Sequence, residues 1–168
     1  MRLGVRILGF ALATVVSGAT LLPGGPSYAA GGEDVIKARI NFMKDEMEGQ
    51  FKILGAYKKG RGSLADVEKS ARALVTLTDK IPAHFPKDTG RGDYPDKMTR
   101  ALPDIWMNWE GFRKEVQRLA DGSEKLARLA REGNKDAVVD LIGPSGTYGK
   151  TKIGCVECHE TFRGDRVK

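Results

Sequence analysis

The sequence predicts an all-α antiparallel four-helix bundle, on three observations. Apolar residues recur at spacings of three and four along several segments, Gly- and Pro-rich breaks separate those segments, and no stretch alternates apolar and polar residues over a strand's length. Amphipathic helices of this kind bury their stripes around one shared core, with room for a ligand between them.

The first helix is expected from Glu33 to about Lys58, with Ile36, Ile40, Met43, Met47, Phe51 and Leu54 on one stripe. Gly60, Arg61 and Gly62 break it, and Ser63 with Asp66 makes a capping box with Asp in the place of Glu or Gln. A second helix carries Leu64, Val67, Ala71, Leu74, Leu77 and Ile81 and ends before Pro82. Pro82, Pro86, Gly90, Gly92 and Pro95 mark a long loop to about Leu102. Pro103 suits the first position of a third helix and Asp104 the positive end of its dipole. Ile105, Trp109, Phe112, Val116 and Leu119 follow at 4-3-4-3 spacing, Leu126 and Ala130 carry the stripe past Gly122, and Gly133 closes it. A short apolar segment, Asn134 to Ile142, is interrupted by Gly143-Pro144-Ser145-Gly146 before helix resumes around Thr147, as one kinked helix or two.

The N-terminus reads as a cleaved Sec export signal, residues 1–29. Arg2 and Arg6 precede an apolar run from Ile7 to Leu22, and small residues stand at the Ser27-Tyr28-Ala29 cleavage site. The arginines are not a twin pair, so an unfolded chain is exported, with the periplasm as destination and no membrane anchor after cleavage. Residues 30–168 suit one domain. Removing Arg2 and Arg6 from the formal +6 leaves about +4, spread as Lys and Arg interleaved with Asp and Glu, which describes a solvated surface and gives no support to nucleic-acid binding.

The chemistry lies in Cys155-Val156-Glu157-Cys158-His159. Thiols three positions apart sit about one helical turn apart and can each form a thioether to one haem, while the adjacent imidazole reaches the iron. Cys155 and Cys158 are the only cysteines. Structural zinc needs four ligands, and outside this cluster only the His84 imidazole is left to add one. A redox dithiol belongs in a βαβ context that the chain lacks. The reading is a c-type haem attachment site carrying one haem c.

With its Arg163 ending, Cys155-Val156-Glu157-Cys158-His159-Glu160-Thr161-Phe162-Arg163 resembles the Cys-x-x-Cys-His-x-x-aromatic-Arg ending of the class II cytochromes c, the cytochrome c′ family. Pro103-Asp104-Ile105-Trp106 resembles the start of that family's third helix, and Ile36-Lys37-Ala38-Arg39 the opening of its first. The Gly143–Gly146 break departs from the more continuous last helix of most members. The resemblance implies a four-helix bundle, often a homodimer, with His159 as proximal ligand, Arg39 near a haem propionate and Arg163 near the proximal imidazole. In gas-binding members the residue four after the first-helix Arg is usually an apolar group that cannot ligate. Here it is Met43, the position that Met-ligated, low-spin members use.

Met43 on an apolar stripe could equally be a flexible core filler. Met47, one turn on, could replace it as ligand, whereas Met98 and Met107 read as loop and core, and His84 as an exposed loop residue. Arg39 and Arg163 each have a plain surface reading beside the haem-contact one. The leading expectation is a periplasmic electron carrier with His159 and Met43 as axial ligands and unidentified redox partners; a thioether ligand raises the potential and limits reorganisation. The alternative is a five-coordinate haem protein of cytochrome c′ type that binds NO or CO. An enzyme such as a peroxidase needs a distal acid-base group, and only His84 is available, so the chain is not read as one.

Overall fold

A computed structural model describes residues 31–143 and 152–167; residues 1–29, the expected export signal, lie outside them. Regular structure among the described residues is helical, and the β geometry there is two isolated bridges, Arg91 with Tyr94 and Ala101 with Arg163.

The expected first helix is one rod in three parts: α1 (Gly32–Asn41), a π-helical stretch (Phe42–Met47) and α2 (Glu48–Lys58). Its stripe differs from the expected one. Ile36, Arg39 and Phe42 are buried, then Met47, Phe51 and Leu54, while Ile40 is 46% exposed. The step of five from Phe42 to Met47 is the signature of i→i+5 bonding, which inserts one extra residue into the turn and moves the buried face. A strict 3.6-residue period therefore mis-sets the register on its N-terminal side.

α3 (Leu64–Thr78) opens on the expected capping box: Ser63 Oγ accepts from the Asp66 N–H at 3.2 Å, and the Ser63 N–H donates to Asp66 Oδ2 at 2.8 Å. It ends at Thr78, short of Pro82, and Ile81 is buried instead in a 3₁₀ turn, Ile81–His84. The expected third helix is split into α4 (Asp104–Met107) and α5 (Trp109–Arg131). Asn108 leaves helical backbone, and its Oδ1 accepts from the Gly111 N–H at 3.1 Å, giving α5 its own N-cap. One consequence is that Met107, expected in the core, is 75% exposed.

α6 (Lys135–Ile142) is capped by Asn134, whose Oδ1 accepts from the Ala137 N–H at 3.1 Å, and it ends where Gly143 takes φ 85°. The Gly143 carbonyl accepts from Lys58 Nζ of α2. α7 (Cys155–Phe162) carries the haem motif. Residues 144–151, most of the expected break and of the resumption near Thr147, lie outside the described residues; 152–154 form a turn that leads into α7 at Cys155.

Residues 59–63 reverse the chain between α2 and α3, which pack on each other; α3 makes its most extensive contact with α5, and α5 also carries α6 and α7. The rod, α3, α5 and the α6–α7 pair form the four-helix bundle. Leu54, Val67, Leu74, Phe112, Leu126, Val138 and Ile142 fill its centre, each at most 2% exposed. Burial of one such side chain contributes roughly 1.5–3 kcal/mol.

Candidate haem site

The start of α7 is set by two glycines. A Cβ on Gly122 of α5 would lie 2.7 Å from the Ile153 carbonyl oxygen, and a Cβ on Gly154 would lie 2.9 Å from the Leu119 nitrogen. Gly154 also takes φ 104°, a left-handed conformation that side-chain-bearing residues rarely adopt. Backbone therefore rests on backbone, and Cys155 begins its helix at a fixed height on α5. The far end is held by the Leu102 N–H on the Phe162 carbonyl (3.1 Å), by the Gly164 N–H on the Arg100 carbonyl (2.8 Å), and by Phe162 set edge-on to Phe112 (5.5 Å).

Between α7 and the first rod lies a cavity of about 510 Å³. Cys155, Cys158 and His159 line one wall, and Ile40, Met43 and Met47 of the rod also line it, with Phe51, Phe85 and Phe112. Ile40, exposed in isolation, is thus a wall of this cavity. The volume falls in the range of roughly 300–1,000 Å³ usual for cofactor sites, and mostly apolar walls with two thiols and one imidazole suit an apolar macrocycle tied at its edge through sulfur. Cys155 is buried and Cys158 half-buried.

Burial, with Arg163 and Arg100 nearby, pushes the His159 imidazole down to about 4, so at neutral pH it is uncharged and its ring nitrogen can ligate. Burial and the Glu115 carboxylate push the Cys158 thiol up to about 12, with Arg163 acting in the opposite direction. The His159 shift has a consequence for the haem-free chain. The folded value lies below the ordinary 6.5, so the unfolded chain takes up the proton first, and stability present above pH 6.5 is lost as pH falls toward 4. On the order of 2 kcal/mol should be lost between pH 7 and pH 4.5, after allowing for partial exposure. Urea midpoints of the haem-free chain at the two pH values test this; His159→Gln should show a smaller decline, and an equal one would count against His159 as the source.

All six expected site residues, Arg39, Met43, Cys155, Cys158, His159 and Arg163, line the one cavity. Arg39, however, is not a surface cation. It is buried, and its guanidinium donates to the Thr89 carbonyl (2.7 Å), Thr89 Oγ1 (3.0 Å), Thr99 Oγ1 (2.9 Å) and the His84 carbonyl (3.3 Å), over the Phe85 ring. It ties α1 to the loop between α3 and α4. Arg163 was expected one helical turn beyond His159; it instead caps α7 with extended backbone, and reaches the cavity from there. His84 is half-buried rather than exposed, stacked on Phe42 at 4.1 Å, and it does not line the cavity; burial lowers its pKa. Met98 lines the cavity from its loop. The sequence reading missed Glu115, Thr89 and Thr99. Glu115 carries a signal, a carboxylate one helical turn after Phe112 on the buried side of α5; the threonines, far from Arg39 in sequence, carry none.

A family model described as cytochrome c′ matches residues 34–163. The chain belongs to the cytochrome c′ family. It is 30% identical over 144 residues to the cytochrome c′ of Rhodopseudomonas palustris, covering 84% of this chain and 90% of that one. It is 27% identical over 131 residues to the cytochrome c′ of Pararhodospirillum photometricum, covering 76% and 97%. A solved structure described as a cytochrome c′ from Rhodobacter sphaeroides superposes with a TM-score of 0.65 at 29% identity, over 82% of this chain and all of that one. As a member of the cytochrome c′ family the chain is a haem c cytochrome, and the cysteines available for covalent attachment are Cys155 and Cys158.

Proposed function

We propose that this cytochrome c′ family member binds a small neutral gas, NO or CO, at a haem c whose iron takes His159 as its one protein ligand. The observation that carries this reading is the cavity: opposite an uncharged imidazole stand the apolar walls of Ile40, Met47 and Phe51, which disfavour water and charged ligands. The relatives named cytochrome c′ support it over the His/Met electron carrier that the sequence put first. When bound, the haem supplies the iron at which a diatomic gas can be held. His159 gives the ring nitrogen, Cys155 and Cys158 fix the macrocycle to α7, and Arg163 lies at the cavity wall where it can approach the proximal imidazole. Arg39, tied into the loop, forms the cavity edge at which a propionate can be received. Residues 1–29 act as the export signal that brings the chain to the periplasm. A homodimer, and unidentified redox partners should the iron also relay electrons, follow from the family resemblance.

One observation keeps the second reading in view. Met43 lines the cavity from inside the π-helical stretch, four residues after Arg39, where its thioether could become the sixth ligand in an electron carrier; Met47 lines it too. Optical spectra of wild type and Met43→Ala, in both oxidation states and with CO, separate the two. The gas-binding reading expects high-spin wild type that shifts with CO, and a variant of unchanged spin state that takes up CO several-fold faster. A low-spin ferric wild type with a sulfur-to-iron charge-transfer band, turning high-spin with a lower potential in Met43→Ala, would overturn it in favour of the carrier.

A further inference from the structure

Three carboxylates border the haem cavity, and they differ in how far they are withdrawn from water. Asp96 is 56% exposed and lies 3.8 Å from Arg91, and Glu48, 33% exposed, faces Lys52. Glu115 is only 16% exposed. Its Oε1 lies 3.5 Å from an Arg118 guanidinium that is half in solvent, while its Oε2 is buried and has no hydrogen-bond partner among the described residues. Glu115 stands on α5, which carries α7, and it shares the cavity wall with Cys158.

A negative charge at this depth is poorly screened, since the effective dielectric is well below that of water and Arg118, the cation paired with it, is half in solvent. It interacts more favourably with ferric haem than with ferrous, because the oxidised form carries one more positive charge. We propose that Glu115 holds the reduction potential of the attached haem below the value that a neutral residue at the same position would give. Arg163 and Arg100, which also line the cavity, act in the opposite sense; Glu115 is a tuning residue and needs no contact with iron. The inference rests on haem attachment at Cys158 and not on the identity of the sixth ligand.

The test is a mediated potentiometric titration of the haem-loaded full chain, comparing wild type, Glu115→Gln, Arg118→Gln, the double variant, and Glu124→Gln as an exposed control on the same helix. Glu115→Gln should shift the potential upward with an unchanged spin state, and Glu124→Gln should leave it in place. Arg118→Gln, which removes the counter-charge, should shift it downward in both backgrounds. A potential unmoved or lowered by Glu115→Gln would overturn the assignment. Glu115→Ala, also neutral at this position, takes its place if Glu115→Gln matures poorly; no upward shift there also counts against the proposal. A colourless wild type would instead sink the haem reading itself, and this inference with it.

Discussion

Gly154→Val is expected to cost about 4 kcal/mol of stability and to leave most of the chain without covalent haem. Two independent effects add at this position. Valine is β-branched and cannot relax at φ 104°, which alone costs roughly 1–3 kcal/mol. Its Cβ would also stand 2.9 Å from the Leu119 nitrogen and 3.1 Å from the Arg118 carbonyl carbon, both backbone atoms of α5 that cannot turn aside like a side chain. Because Cys155 follows directly, relief comes only by lifting the start of α7 off α5, which moves both thiols and the imidazole away from the opposing wall. Gly122→Ala is the finer probe. Helix propensity favours alanine by about 1 kcal/mol, but the added methyl would meet the Ile153 backbone at 2.7 Å, so packing predicts net loss where propensity predicts gain. Urea midpoints and the ratio of thioether-linked haem to protein report both variants. A Gly154→Val protein with wild-type stability and full haem content would show that this contact does not position α7.

How far the sequence discloses such contacts depends on the range of the physics involved. The Cys155–His159 motif is local, and its spacing alone specifies the attachment chemistry. The stripe of α3 is legible because a regular helix repeats its buried face at Val67, Ala71, Leu74 and Leu77 without interruption. The first rod is less so: the π-helical stretch adds a residue between Phe42 and Met47, and periodicity drawn through Ile40 then lands on the cavity wall instead of the core. Asn108 reads in sequence as one polar residue within a helix, since its role as a second N-cap depends on backbone geometry that composition does not carry. Gly122 reads as a flaw in the α5 stripe, yet its missing Cβ is what admits Ile153. Met43 was the sequence's choice of sixth ligand, a choice that the cytochrome c′ relatives do not favour; position on a wall does not by itself decide ligation.

Arg39→Leu is expected to destabilise the chain by about 4 kcal/mol, because the substitution strands several buried acceptors at once. The guanidinium serves the Thr89 carbonyl, the Thr89 and Thr99 hydroxyls and the His84 carbonyl, residues 45 to 60 positions away, and it lies 4.9 Å from the centre of the Phe85 ring. Thr89 and Thr99 are themselves buried, so water cannot readily replace the lost donors. Burial lowers the Arg39 pKa to about 10, which still leaves it fully charged at neutral pH, and each charge-assisted bond is worth roughly 1.5–3 kcal/mol. Lysine should recover less than half the loss: a single ammonium cannot reach acceptors spread over both nitrogens of the planar fork, nor stack on Phe85 as the guanidinium does. The loop from His84 to Thr99 should loosen first, since its inward-facing groups are what Arg39 holds. Chemical denaturation gives the size of the loss, and limited proteolysis gives its place. A variant within about 1 kcal/mol of wild type, or one cleaved no faster between Phe85 and Thr99, would mean that the loop is held by its own turns. The arginine would then be left with its place at the cavity edge as its reason for being buried.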